Sequence, residues 1–470
     1  MIPLPQQGRS VARVTPGWLS VASLFLLPPS ILRAQAGEFS IPPNSILPNY
    51  NRVSVGQREA LEGGAYVART DDALANWYNP AGLAASEKTA LNASSNVYEV
   101  TRTTLSGIGE RESGTRFRAV GGFVGIVVGK PIARSDRWRF GFGLTSPVAW
   151  APSSLDGAFS LPVGNATEAF GYSTEVNFNT VIPSLNAAYR LSPTLRAGIG
   201  VGYGMTDLSQ TQTLTDRLVS ATDVLTGIRA FATDGSVHHL LVTGGVQWDL
   251  ARAITVGATV APPGLRIGGS SSIRFTQTVF EAAGAEDDLA FRDPEAKFDY
   301  RIPLRATAGA TFRYARGQVE LDVRYYGAED QYELLSSDST AVRITTDAAG
   351  APTVSTPAFT PVLHQARSVV SFALGANYSL SRAFRLHAGV FTDPSPVSGP
   401  SRSTFRAVNL TGASGGISLG SGRLTGSVGV SASWGTTTDR AVGPTLGGVQ
   451  GTTDVSIRTL TGLYAVSYTF

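Results

Sequence analysis

The sequence predicts an all-β protein, a transmembrane antiparallel β-barrel of about fourteen strands. Three observations carry that prediction. Apolar residues recur at every second position over runs of roughly ten to fifteen residues, close to what a tilted strand needs to cross a bilayer. Short and long connections alternate between those runs, as they do in bacterial outer-membrane barrels. Past the N-terminus, no stretch approaches the roughly 18 to 20 unbroken apolar residues of a membrane helix.

Composition agrees. The 470 residues include 52 Gly and no Cys, and 16% are charged. Mean hydropathy is +0.04, so the chain is not built from apolar helices. The formal charge of +3 forms no basic stripe, which argues against nucleic acid as a partner. Zero Cys excludes disulfides and Cys-ligated metal sites, and suits an exported protein that does without oxidative stapling.

The first element is an address. Arg9 and Arg13 precede the apolar run Trp18–Leu32, and Ala34-Gln35-Ala36 is a small-x-small cleavage site. Residues 1–36 therefore read as a secretory signal peptide, with the mature chain starting at Gly37. A membrane anchor is the alternative, but Pro28 and Pro29 interrupt a run already short for a span.

Next comes "DDALANWYNPAGLA", Asp71 to Ala84. Asn79 can hydrogen-bond nearby backbone, and Pro80 presets φ for a turn. Ala81 is small enough to pass close to a wall, and Gly82 can take a positive φ. Trp77 and Tyr78 offer apolar surface to a lumen or a ligand. Burying Asp71 and Asp72 without partners is costly, so each is expected to meet a lumenal Arg. The plainer alternative is an Asn-capped turn that leads into the first strand and moves nowhere.

Residues 87–470 supply the barrel. Candidate strands fall at 88–101, 115–130, 137–150, 172–191, 194–211, 236–250, 253–270, 296–314, 317–331, 362–380, 383–394, 404–420, 423–436 and 456–470. In Arg423–Trp434, Leu424, Val428, Val430, Ala432 and Trp434 share one face opposite Arg423, Thr425, Ser427, Ser431 and Ser433. The apolar face suits lipid, with Trp434, Tyr468 and Phe470 as interfacial aromatics, and the small polar face suits a lumen. Short connections lie at 191–194, 250–253, 315–317, 379–383 and 420–422; long ones lie near 212–235, 276–296, 332–362 and 436–455. An even strand count puts both termini in the periplasm. A soluble sandwich or propeller is the alternative architecture, but no blade-like repeat of fixed period supports it.

Chemistry-bearing clusters are few. The four histidines, His238, His239, His364 and His387, have no G-x-S-x-G nucleophile motif nearby, so no enzyme activity and no catalytic residues are expected. His238 and His239 are adjacent on a strand and point to opposite faces, so they cannot chelate one ion. Glu286, Asp287, Asp288, Asp293 and Glu295 gather on an expected outer loop. They could hold Ca²⁺, but a solvated acidic loop is the better reading, and no metal or cofactor is expected. Arg301, Arg305, Arg324 and Arg343, near strand ends, could meet lipopolysaccharide phosphates or a fatty carboxylate at the mouth, though girdle or lumen placement is the plainer reading.

With the architecture in view, "ARTDDALANWYNPAGLA" (68–84) resembles the N-terminal hatch of the FadL-type outer-membrane transporters, which ends in an Asn-Pro-Ala turn, here Asn79-Pro80-Ala81. Residues 140–150, 177–204 and 384–397 are similar to family strands. The resemblance implies a monomeric fourteen-stranded barrel with residues 37–86 as a plug in its lumen. It also implies passive uptake of hydrophobic compounds, such as long-chain fatty acids or aromatic hydrocarbons. The plug would gate, and cargo would leave sideways at a kink in the third strand, matching Thr145, Ser146, Pro147 and Trp150. Pro147 cannot donate to a ladder, so a bulge there has its own physical reason. Residues 37–58 are Pro- and Asn-rich and depart from the family pattern. The expected partners are a hydrophobic ligand, outer-membrane lipid and lipopolysaccharide.

The second functional reading is a barrel that serves as a protein-binding scaffold or secretion-system component. A third, a general polar porin, predicts an open charged constriction and no plug. A transporter of apolar cargo needs an apolar pocket bounded by the hatch and the long loops. A scaffold needs none.

Overall fold

The computed structural model describes residues 38–39, 47–50, 55–106, 112–150, 155–163, 166–221, 223–399, 401, 405–442 and 450–470. The leader expected over residues 1–36 and the start at Gly37 lie outside them.

Fourteen antiparallel strands close into a ring. They are β1 (Ala90–Ser106), β2 (Glu112–Val128), β3 (Trp138–Trp150), β4 (Ala166–Arg190), β5 (Leu195–Val219), β6 (Val224–Ala251) and β7 (Ile254–Ala261). The second half is β8 (Arg305–Tyr314), β9 (Gly317–Tyr326), β10 (Val369–Ser379), β11 (Phe384–Asp393), β12 (Leu410–Ser421), β13 (Leu424–Val442) and β14 (Gln450–Thr469). Each pairs with the next, and β14 pairs back onto β1 from Thr469–Ala90 to Asp454–Ser106. Closure leaves no open edge, which is what a sheet crossing hydrocarbon requires. Among the described residues no helix is long and apolar enough to cross a membrane.

The period-two pattern sorts the two faces. On β13 and β14, Leu424, Val428, Val430, Trp434, Leu460, Tyr464 and Val466 are exposed, while Ser427, Ser431, Ser433, Thr459 and Thr461 are buried inside the ring. Other strands repeat this, with Leu185, Ile199, Val201, Leu321 and Leu374 outside. The exposed apolar belt is the surface that bilayer hydrocarbon covers.

Two expected strands are not single strands. The run 253–270 breaks after Ala261, because Pro262 and Pro263 have no N–H to give the ladder. Leu265–Glu281 then turns back along the outer half of β6, setting Phe275 opposite Phe231, and Glu286–Phe298 returns beside it. The run 296–314 divides likewise, at Pro303. The long loop expected near 212–235 is largely strand, since β5 reaches Val219 and β6 begins at Val224. That near 332–362 carries strands Glu329–Ser336, Val342–Thr346, Pro352–Ser355 and Val362–Ala366. These elements share an apolar core at the long-loop end, which includes Phe178, Phe231, Phe275, Phe291, Phe298, Phe359 and Phe405. Leu47 joins it from the N-terminal side.

Residues 55–86 lie against the inward faces of the strands. Short helical turns at Arg58–Leu61 and Ala75–Tyr78 precede a 3₁₀ turn over Pro80–Ala85. Leu74, Leu83 and Ala84 pack with Phe123, Val127 and Ala188 of the wall.

The faces make a depth-dependent prediction. Leu374→Arg, at the middle of β10, should destabilise the barrel by roughly 2–4 kcal/mol in lipid, and Leu424→Arg, beside a short turn, by about 0–1 kcal/mol. Denaturant titration of the protein folded in vesicles reads both.

Candidate functional site

The Asn79 turn brings the inner segment into close contact with the wall. Asn79 is fully buried. Its Oδ1 accepts from Ala81 N at 3.1 Å, capping the 3₁₀ turn. Its Nδ2 donates to Val67 O at 2.8 Å and to Val246 O on β6 at 2.9 Å. One side chain thus ties two parts of the segment to a wall strand. The wall makes room with glycine: a Cβ at Gly198 would lie 2.4 Å from Ala81 N, and one at Gly245 would lie 2.2 Å from Asn79 Oδ1. Gly82 is required for space rather than for a positive φ, which it does not adopt. A Cβ there would fall 1.9 Å from Thr70 Oγ1.

A buried ionic network fixes the stretch before it. Arg69 Nε donates to Glu320 Oε2 on β9 at 2.7 Å, and its Nη2 donates to Glu62 Oε2 at 2.5 Å and to Ala65 O at 2.7 Å. Glu320 also accepts from Ala68 N and Thr311 Oγ1, at 2.7 and 2.6 Å. Asn377 Nδ2 donates to Glu62 Oε1 at 3.1 Å, and His387 Nδ1 meets the same oxygen at 2.5 Å. Burial would raise the Glu62 carboxyl, but the Arg69 guanidinium and His387 outweigh it and hold it at about 2. His387 Nε2 contacts Ser418 Oγ at 2.8 Å. The hydroxyl–imidazole–carboxylate order resembles a catalytic triad, but Ser418, His387 and Glu62 are all buried, and Arg69 and Asn377 also engage the carboxylate.

Asp71 and Asp72 share one arginine, Arg58, at 3.4 and 3.2 Å. It belongs to the inner segment, not to the wall. Asp72 also accepts from Asn92 of β1 at 3.0 Å, while Asp71 is exposed. Glu59 is fully buried, 3.6 Å from Arg58, and burial with Asp72 nearby pushes its carboxyl up to about 8.

Above the turn lies an apolar cavity of about 120 Å³. Trp77, Pro147, Ile182, Leu241, Ile302 and Tyr50 are among its walls. A smaller lobe of about 50 Å³ shares Tyr50, Trp77, Pro147, Arg305 and Tyr326 with it and adds Tyr78. The Tyr50 and Tyr326 rings stack at 4.7 Å, and Tyr78 Oη donates to Val55 O at 2.6 Å. The site therefore joins Trp77 and Tyr78 with Pro147, and leaves the Asp71–Asp72 pair at another edge of the segment.

Pro147 sits at a bulge in the β3–β4 ladder. The β2–β3 ladder runs from Val128–Phe140 to Phe123–Thr145. Outward of Thr145, β3 forms a ladder only with β4 among the described residues, and there Ser146 and Pro147 bulge, so that Thr145 faces Ile182 and the next rung is Val148–Thr180. Ser146 Oγ donates to Asn179 Oδ1 and Thr180 O, at 3.1 and 3.2 Å. Trp150 keeps its rung with Phe178.

The remaining sequence candidates have structural partners. Asp287 forms a two-pronged pair with Arg343 at 2.7 and 2.6 Å. Asp288 accepts from Thr278, and Asp293 from Ser337 and Glu295 N. No metal-binding group of three is found among the described residues. Arg301 pairs with Asp299 and covers the Tyr332 ring. Arg324 donates to Gly64 O. Arg305 lies 4.6 Å from the Trp77 ring centre.

Sequence reasoning missed Tyr50, Glu62, Arg69, Glu320 and the place of His387. The signal available was glycine on inward strand positions: Gly198, Gly245, Gly257, Gly309, Gly375 and Gly389 all mark places where the inner segment or a neighbouring side chain comes too close for a Cβ.

No family model matches the chain, and no curated protein matches it by sequence. Solved structures do match. A FadL homologue from Pseudomonas aeruginosa aligns over 90% of this chain and 99% of its own, with TM-score 0.60 and 13% identity. The CymD monoaromatic hydrocarbon channel aligns over 90% and 99%, with TM-score 0.54 and 14% identity. The Ralstonia pickettii toluene transporter TbuX aligns over 88% and 98%, with TM-score 0.52 and 14% identity. At that identity the likeness is one of fold: the barrel of this chain is the FadL-type barrel.

The two buried carboxyls predict opposite pH effects. Glu62 lies below its usual 4.5 in the folded protein, so its contribution is present above 4.5 and is lost as pH falls towards 2. Glu59 lies above 4.5, so the folded state loses stability as pH rises from 4.5 to about 8. Glu59→Gln should match the parent at pH 4 and exceed it at pH 8. Glu62→Gln should be less stable at pH 7 and lose less than the parent between pH 4.5 and 2. Unfolding midpoints across pH measure both.

Proposed function

We propose that this protein is an outer-membrane channel for passive uptake of small hydrophobic compounds. The observation that carries the reading is the apolar cavity between the inner segment and the wall, with Trp77 on one side and the Pro147 bulge on the other. A barrel that only bound proteins would need no such cavity, and a polar porin would have an open charged constriction in place of residues 55–86. The fold shared with a toluene transporter and a monoaromatic hydrocarbon channel supports the same reading.

In this proposal residues 1–36 direct export and are removed, residues 37–86 are the plug, and residues 87–470 form a monomeric barrel with both termini in the periplasm. Lipid and lipopolysaccharide cover the exposed belt. Ligand enters from the long-loop end and reaches the cavity beside Trp77. The segment Asp71–Gly82 gates onward passage. Cargo leaves sideways outward of Thr145, where β3 has no ladder with β2 and Pro147 cannot supply one. No energy source is needed, because the compound moves down its gradient into hydrocarbon.

Two variants test the parts separately. Asn79→Ala removes donors from two buried carbonyls, should cost about 2–4 kcal/mol of stability, and should alter ligand binding. Pro147→Val restores a backbone donor at the bulge. It should slow uptake of a labelled hydrocarbon by cells several-fold, by more than any loss in equilibrium binding to the purified barrel accounts for. Unchanged uptake would remove the lateral exit from the model, and a folded barrel that binds no apolar compound would remove the channel.

A further inference from the structure

The cavity contains a charge that its apolar lining does not explain. Arg305, the first residue of β8, borders both lobes. Its guanidinium lies over the Trp77 ring. Among the described residues no carboxylate or carbonyl accepts a hydrogen bond from it. The neighbouring Arg324 differs, since it donates to Gly64 O and lies 3.8 Å from Asp322 Oδ2. Elsewhere inside the ring the arginines have acceptors: Arg69 has Glu62 and Glu320, Arg343 at the mouth has Asp287, Arg139 has the carbonyls of Ser86, Ser135 and Trp138, and Arg385 has the Ser379 hydroxyl.

A partly buried guanidinium beside an apolar cavity gains from an anion that takes its free donors. A cation–π contact is no substitute, because it leaves the N–H donors unused. A cargo that carries an anion would complete the site. The planar fork of arginine matches a carboxylate with two parallel hydrogen bonds, and a single guanidinium balances a single negative charge. A phenol does not qualify, since it stays neutral near pH 7.

Size and lining define the rest of the molecule. The larger lobe, about 120 Å³, approaches the ~150 Å³ cavity that accepts one benzene ring. The lobe is open at one side, so a long alkyl chain would lie only partly within its aromatic lining. Trp77, Tyr50, Tyr300 and Tyr326 surround the space and favour a flat aromatic partner, and Tyr300 is itself held edge-on to Phe178 at 4.9 Å.

We propose that the cargo is a single-ring aromatic carboxylate, its ring in the lobe beside Trp77 and Pro147 and its carboxylate on Arg305. This rests on the channel reading and narrows its substrate class, away from both neutral hydrocarbons and long-chain fatty acids. Arg305 is then a specificity-determining residue, and Trp77 positions it by stacking.

The test is calorimetric titration of the full mature chain in detergent with four probes: phenylacetate, its neutral isostere phenylacetamide, ethylbenzene and oleate. Phenylacetate should bind at least tenfold more tightly than phenylacetamide, as expected for a charge-assisted hydrogen-bonded pair. Arg305→Gln should abolish that preference and weaken phenylacetate at least tenfold more than ethylbenzene. The acid–amide comparison in the unaltered protein stands even if the variant does not fold. Equal binding of acid and amide would overturn the carboxylate assignment, and oleate binding more tightly than phenylacetate would overturn the single-ring assignment. If none of the four binds to a folded barrel, the channel reading itself fails, which is a separate result.

Discussion

Hydrocarbon offers no hydrogen bonds, and the rest of this architecture follows from that constraint. Every backbone N–H and C=O on a lipid-facing strand must find a partner within the protein, so the sheet has to close. Closure at β14–β1 commits the chain to a ring wide enough to need filling. Residues 55–86 lie against its inner face, and they bring backbone groups of their own that must also be paired. The wall meets those groups with inward side chains: Gln247 donates to Ala68 O and Thr70 O, Asp322 accepts from Tyr66 N, and Ser414 accepts from Gly63 N.

The choice of charged residues inside the ring follows from the same accounting. A buried carboxylate is tolerated only when its oxygens are nearly all engaged, and Glu320 and Glu62 meet that condition through Arg69, Ala68 N, Thr311, Asn377 and His387. Glu59 does not: its Oε1 has no hydrogen-bond partner, and its carboxyl stays protonated to a higher pH. The network connects the segment to β8, β9, β10 and β11, and Asn79 connects it to β6. The segment is thereby held by strands spread from β6 to β11.

Much of the wall was legible in the sequence because a strand between lipid and lumen has two unlike faces. Val428, Val430 and Trp434 against Ser427, Ser431 and Ser433 make a pattern that no other environment produces over that length. The outer hairpin at 265–298 was misread because alternation continues above the membrane, where Ile273, Phe275, Leu289 and Phe291 turn inwards to the mouth core. Pro262-Pro263 and Pro303 were the available correction. The Asn79 turn was legible as a turn, since its side-chain chemistry is local. Its partners Val246, Gly198 and Gly245 were not, because they lie more than a hundred residues away and are set by barrel register. Glu62 and Arg69 were invisible for the same reason. An acid and a base seven residues apart read as ordinary surface until four strands close around them.

The bonding pattern also decides which part of the inner segment can move at low cost. Shifting residues 55–86 as a body would break Arg69–Glu320, Glu62–His387 and Asn79–Val246 together, each buried loss amounting to roughly 1–3 kcal/mol or more. The sum exceeds what the entry of one small ligand supplies. Trp77 and Tyr50 are held differently, by a stacked guanidinium and a stacked ring, contacts of about 1 kcal/mol each. A ligand that takes the face of Trp77 and the fork of Arg305 replaces those contacts in kind. In the proposed channel the gating segment Asp71–Gly82 is therefore firmest at its Asn-Pro-Ala-Gly turn and lightest at Trp77, where the cavity lies.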